Sequence, residues 1–72
     1  MNYVIVFCDT SDEVTRLFDF VNQHPDDYKF VRKYKRAAAI FDRQESGRIF
    51  RCRDGKAEFR MRLMFNTQNY VI

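Results

Sequence analysis

The chain has no tryptophan, one proline, one histidine, two glycines and two cysteines among its 72 residues. Each shortage excludes something. So little glycine and proline, beside 46% hydrophobic residues, excludes a linker or a disordered tail, because there is enough apolar side chain to build a core. Two cysteines are too few for the disulfide-dense frameworks of small secreted domains, so Cys8 and Cys52 are expected as buried thiols. A single histidine, His24, leaves no zinc-finger spacing, and no cofactor or metal is expected. The phosphate-cradling GxxxxGK[ST] loop is absent. No apolar run approaches the roughly 20 residues that cross a bilayer, so no membrane partner is expected. The opening MNYVIVF has neither a basic segment nor a small-residue cleavage site. The expected location is the cytoplasm, of a host if the source is viral.

What is present bounds the rest. The length allows one domain, 1–72, whose core is thin by the scaling of surface to volume. Eight Phe and four Tyr supply the large burying side chains. The formal charge of +3 hides an asymmetry. Residues 1–27 carry six acids and one base, Arg16, whereas residues 28–72 carry twelve bases and four acids. A basic half of this kind points to an anionic partner.

Asn2 to Cys8 reads as a strand, because Tyr, Val, Ile, Val and Phe are β-branched or aromatic. Apolar on both parities, it suits a central strand or one whose second face meets another chain. Self-association through this strand into a homodimer is therefore one expectation. Thr10-Ser11-Asp12-Glu13 is a capping box, and Val14, Leu17, Phe18 and Val21 form a helical stripe behind it. Pro25 ends that helix near Gln23 or His24.

Residues 26–41 fit two periodicities. As a helix they align Phe30, Tyr34, Ala37, Ala38 and Phe41; as a strand they turn Tyr28, Phe30 and Tyr34 inward, with Arg32 out of pattern. The aromatic content favours an extended or loop segment near 28–35 and a strand at 37–42. A polar loop, Asp42 to Gly47, follows.

The stretch GRIFRCRDGKAEFRMRL then alternates arginine with apolar residues on both sides of Asp54-Gly55. That dipeptide between alternating runs predicts a two-residue type I′ hairpin. One hairpin face would carry Phe50, Cys52, Ala57, Phe59, Met61 and Leu63. The other would carry Ile49, Arg51, Arg53, Lys56, Glu58, Arg60 and Arg62, with Arg51 opposite Glu58 and Arg53 opposite Lys56. A turn at 66–69 and a short closing strand at 70–72 complete the chain. The expected fold is α+β: a single-layer, mostly antiparallel sheet of about 4–5 strands with one packed amphipathic helix, in the order β-α-β-β-β.

Catalysis has no defensible constellation here. Asp12 and Glu13 serve the helix start, Asp9 a turn, and His24 the helix end; neither cysteine has a base beside it. The expected function is a non-enzymatic binding module. Its site is a basic face built from Arg51, Arg53, Lys56, Arg60 and Arg62 on the hairpin and from Lys29, Arg32, Lys33, Lys35 and Arg36 before it. A solvated face that merely covers apolar surface with arginine stems explains the same pattern. As a binding face it has two candidate partners. Nucleic acid is one, held mainly by its phosphates, with Tyr28 and Tyr34 the only aromatics interleaved with the bases. The other is an acidic protein surface, met as a small inhibitor or adapter of the kind phages encode, through the arginines or an edge strand.

Overall fold

Strands and helices succeed one another as β1 (Asn2–Phe7), α1 (Ser11–Gln23), β2 (Tyr28–Ala38), β3 (Arg43–Cys52), α2 (Gly55–Met64) and β4 (Thr67–Asn69). The structure, a computed structural model, describes residues 2–38 and 43–70. The sheet order is β2-β3-β1-β4, and every neighbouring pair is antiparallel. β3 lies between β1 and β2, and β1 lies between β3 and β4. Two split β-α-β units are thus interleaved, which is the ferredoxin-like connection pattern. The α+β class and the antiparallel sheet agree with the sequence. The order is β-α-β-β-α-β, with two helices rather than one.

Helix α1 begins as its residues require. Thr10 is the N-cap, and its hydroxyl oxygen accepts from the Glu13 amide at 3.2 Å. The Glu13 carboxylate takes the Thr10 hydroxyl, also at 3.2 Å, instead of reaching the Thr10 amide as a full capping box would. Asp12 and Glu13 lie in the first turn, at the positive end of the helix dipole. His24 caps the C-terminus, its amide donating to the Val21 carbonyl.

The expected hairpin at 54–55 is replaced by a helix. Asp54 is an N-cap whose carboxylate accepts from the Ala57 amide at 2.9 Å, and Gly55 to Met64 coil behind it. Two apolar residues four apart face the core, Ala57 and Met61, while Phe59 and Leu63, also four apart, face away. Strict alternation in sequence is what two opposite stripes of a short helix produce, since a step of two residues turns about 200°. Asp-Gly serves a cap as readily as a turn, and Lys, Ala, Glu, Arg, Met and Leu favour helix. The expected cross-strand partners, Arg51–Glu58 and Arg53–Lys56 among them, are therefore not neighbours in a ladder.

Further corrections concern the segments around it. β2 is a continuous strand from Tyr28 to Ala38, so of the two readings of 28–35 the extended one holds and the loop gives way, while 39–42 of the strand expected at 37–42 lie outside the described residues. Arg43 to Gly47 belongs to β3 rather than to a loop. Thr67–Asn69 is a strand where a turn was expected, and it pairs with Val4–Val6 of β1. The closing strand expected at 70–72 falls largely outside the described residues; Tyr70 donates its amide to the Tyr3 carbonyl.

Both helices pack on one face of the sheet. Val4, Val6, Cys8, Tyr28, Phe50 and Cys52 meet Leu17, Val21, Ala57 and Met61 there. Phe18 bridges Phe50 and Phe30, each ring 5.7 Å away, and Phe20 lies 5.5 Å from both Tyr28 and Phe65. The Tyr28 hydroxyl donates to the Ala57 carbonyl at 2.6 Å, tying β2 to the first turn of α2. Cys8 and Cys52 are free, buried thiols.

Two features distinguish the β2–β3 pair. Val31 is an extra residue in the ladder: Phe30 pairs with Phe50, and Arg32 pairs with the next position, Ile49. Such a bulge reverses the parity of everything after it. The pair also outruns the rest of the sheet. The β1–β3 ladder covers Gly47–Cys52, and beyond it Lys35–Ala38 and Arg43–Ser46 continue as a two-stranded ribbon.

Candidate nucleic-acid interface

The face of the sheet turned away from the helices is set by alternation. In β1 it receives Tyr3, Ile5 and Phe7, because Val4, Val6 and Cys8 enter the core. In β3 it receives Gly47, Ile49 and Arg51, the register partners of Phe7, Ile5 and Tyr3. In β2, Lys29 lies there before the bulge and Arg32 and Tyr34 after it, opposite Arg51, Ile49 and Gly47 respectively. Without the bulge Arg32 and Tyr34 would lie on the helix side. Four aromatic and three basic side chains thus share one face once Tyr70 is added beside Tyr3.

These side chains organise one another. Phe7, Gly47 and Tyr34 stand in a row across three strands, and the two rings close above the glycine with centroids 6.3 Å apart, edge to face. A Cβ on Gly47 would come within 2.9 Å of the Val6 carbonyl oxygen and 3.0 Å of Ile5 Cγ2, so glycine is what lets β1 approach. Further along, Arg32 from one outer strand reaches Tyr70, which follows the other. Arg32 Nη2 donates to the Tyr70 hydroxyl at 2.6 Å, and its guanidinium carbon is 5.6 Å from the ring centroid. This contact spans the two central strands. It accounts for Ile5 and Ile49 being 3% and 0% exposed on a face that no helix covers. Tyr3, Phe7, Tyr34 and Tyr70 are each half-buried.

The bases expected to form one site are divided among three places. Lys29, Arg32 and Arg51 share the helix-free face. Lys33 and Lys35 point to the other side, where they line a shallow depression with Arg48, Asp9 and Thr10 at the start of α1. Arg36 is placed by its backbone, which pairs with Glu45 in the ribbon. Lys56, Arg60 and Arg62 are on α2, across the sheet from the helix-free face, and Arg53 is in the turn before it. Several of these have partners: Asp27 takes Arg60 at 3.1 Å and Arg53 at 3.9 Å, and Glu58 takes Arg62 at 3.7 Å, one helical turn on. Arg62 also donates to Asn69. A surface pair of this kind contributes about 0.2–1 kcal/mol and lowers the local field.

Of the two tyrosines expected among the bases, Tyr34 is on the helix-free face and Tyr28 is buried beneath α2. The residues that sequence reasoning missed are Tyr3, Phe7 and Tyr70. The signal for the first two was the second apolar parity of β1, whose face holds an aromatic at each end. Burial pushes the Cys52 thiol up to about 11 and raises the Cys8 thiol and the Tyr28 hydroxyl as well, so all three stay protonated at neutral pH. Among the described residues no group of three or more His, Cys, Asp or Glu is placed to hold a metal ion, and no helix is long and apolar enough to cross a membrane. No protein-family model, curated protein or solved structure matches this chain.

Proposed function

We propose that the protein is a non-enzymatic binding module that holds single-stranded nucleic acid on the helix-free face of its sheet. The observation that carries this reading is the sharing of one face by Tyr3, Phe7, Tyr34 and Tyr70 with Lys29, Arg32 and Arg51. Unpaired bases stack on aromatic rings, and the cost of unstacking them is already met in a single strand. Cations spaced between the rings neutralise the phosphates that run alongside. Arginine suits this duty better than lysine, since its planar fork meets two phosphate oxygens at once. A duplex offers no free base faces to such a platform, so single strands are preferred.

The strand order supports the reading physically. β1 and β3 are central and paired on both sides, so the rings of Tyr3 and Phe7 and the stem of Arg51 rise from the most rigid part of the sheet. The edge strand β2 supplies Arg32 and Tyr34 from a bulged segment whose charges also discourage pairing with another sheet.

The test is fluorescence anisotropy with labelled single-stranded DNA, single-stranded RNA and duplex DNA, read beside the protein's own tyrosine emission, which no tryptophan masks. The expected result is preference for either single strand over the duplex, with tyrosine quenching that saturates at the same concentration as the anisotropy. Equal or tighter binding of the duplex, or binding without quenching, would sink the stacking platform.

A further inference from the structure

A second surface lies on the opposite side of the molecule. Phe59 and Leu63 of α2 are 62% and 71% exposed. They are not loose ends of the core. Ala57 and Met61 already fasten the helix to the sheet, and the Tyr28 hydroxyl holds the Ala57 carbonyl at 2.6 Å. Phe59 and Leu63 form a stripe about 200° around the helix from that buried pair. Solubility alone disfavours such a stripe, and large exposed side chains grouped on one helix mark an interaction surface. Its flanks carry bases: Arg62, paired with Glu58, borders one side, and Lys56 and Arg60, the latter paired with Asp27, border the other.

We infer that the Phe59–Leu63 stripe is a docking site for an acidic amphipathic helix of another protein, laid along α2. The apolar residues of that helix meet Phe59 and Leu63, and its flanking carboxylates meet Lys56, Arg60 and Arg62. The charges of the two helices argue against the other occupants. In a symmetric dimer through α2, the bases of the two copies would face each other. If a second copy offered α1 instead, its outward residues Asp12, Asp19 and Gln23 would bring no apolar side chain to the stripe. A flat anionic surface, lipid or duplex, would press on the whole helical layer and meet the exposed Asp12 and Asp19 of α1 along with the bases of α2. A single helix is narrow enough to lie on α2 alone. Arg60 and Arg62 are half exposed where they contact Asp27 and Glu58, so incoming carboxylates reach them without burying an unpaired charge.

The experiment is selection of a random, surface-displayed library of helix-length peptides against the intact protein, followed by affinity measurement on the enriched sequences. The expected winners are acidic, with apolar residues at helical spacing. Their affinity should fall by about tenfold or more for Phe59→Ser and again for Leu63→Ser, the loss typical of a central interface contact. Both side chains are exposed, so the variants should keep the parent's melting temperature, which separates lost binding from lost folding. Selection that enriches nothing, enriches basic sequences, or yields peptides indifferent to both substitutions overturns the inference. Oligonucleotide binding to the sheet should be unchanged in the same variants, so the two surfaces stand or fall separately.

Discussion

If three cations on the helix-free face meet phosphates, the salt dependence of binding is set before any measurement. Each phosphate neutralised on a single strand contributes about 0.7 to the slope of log affinity against log salt, so Lys29, Arg32 and Arg51 together give a slope of about −2. A fivefold rise in salt should then weaken binding by about thirtyfold. Arg32 can serve although Tyr70 holds one of its N–H groups, because a guanidinium has five donors. Arg51→Gln should make the slope shallower by about 0.7. Tyr34→Ala should leave the slope unchanged while removing the stacking of one base, about 1–3 kcal/mol. Lys56→Gln, Arg60→Gln and Arg62→Gln, on the far side of the sheet, should alter neither quantity beyond a small general field effect. The assay is anisotropy of a labelled single strand over a salt series for each variant. A parent slope several times steeper, or α2 substitutions that flatten it as much as Arg51→Gln does, would refute the assignment of the site to this face.

Three more expectations concern the scaffold. Asp54→Ala removes the side-chain cap of α2 and should cost about 1 kcal/mol in urea unfolding, whereas the same change in a hairpin turn would have left the Ala57 amide unaffected. Gly47→Ala should cost about 1–3 kcal/mol, since the new methyl meets the Val6 carbonyl rather than a movable side chain, and the Phe7–Tyr34 ring contact should loosen with it; a melting temperature equal to the parent's would count against the register. The raised thiol of Cys52 makes a signed pH dependence. The folded state holds its proton to about pH 11 while the unfolded thiol releases it from about pH 9, so stability is complete below the lower value and declines between the two. Urea midpoints at rising pH should show that decline in the parent and less of it in Cys52→Ala.

Where the sequence was informative, a local signal and the tertiary demand agreed. α1 has a cap, a stripe and a proline stop, and all three hold in the fold. β1 reads as a central strand and is one. Because both of its edges are paired, any self-association through it has to use its face. α2 misled because Ala57, Phe59, Met61 and Leu63 satisfy period two, and the helical alternative requires Phe59 and Leu63 to stand in solvent. A rule that buries apolar residues chooses the strand; only the helix-forming composition spoke against it. The basic face dissolved with that hairpin. The helix-free face depends on a bulge at Val31, and an inserted residue in a ladder leaves no mark on a sequence read one strand at a time. It becomes visible only when Arg32, out of pattern before the bulge, is found opposite Ile49.

The ribbon of β2 and β3 has a consequence for how the molecule can vary. The amide of Cys8 donates to the Ser46 carbonyl at 3.0 Å, closing the sheet where β1 ends, and beyond that point Arg36–Ala38 pair with Arg43–Glu45. Among the described residues, none of the core cluster lies in this ribbon. Removing opposite residues two at a time, Ala37 with Gln44 and then Arg36 with Glu45, shortens the ribbon without shifting any register in the four-stranded region. Reach is therefore a free parameter of this fold: the span over which the molecule can meet a partner is adjustable by paired insertions and deletions, while the surfaces that do the recognising stay where the core holds them.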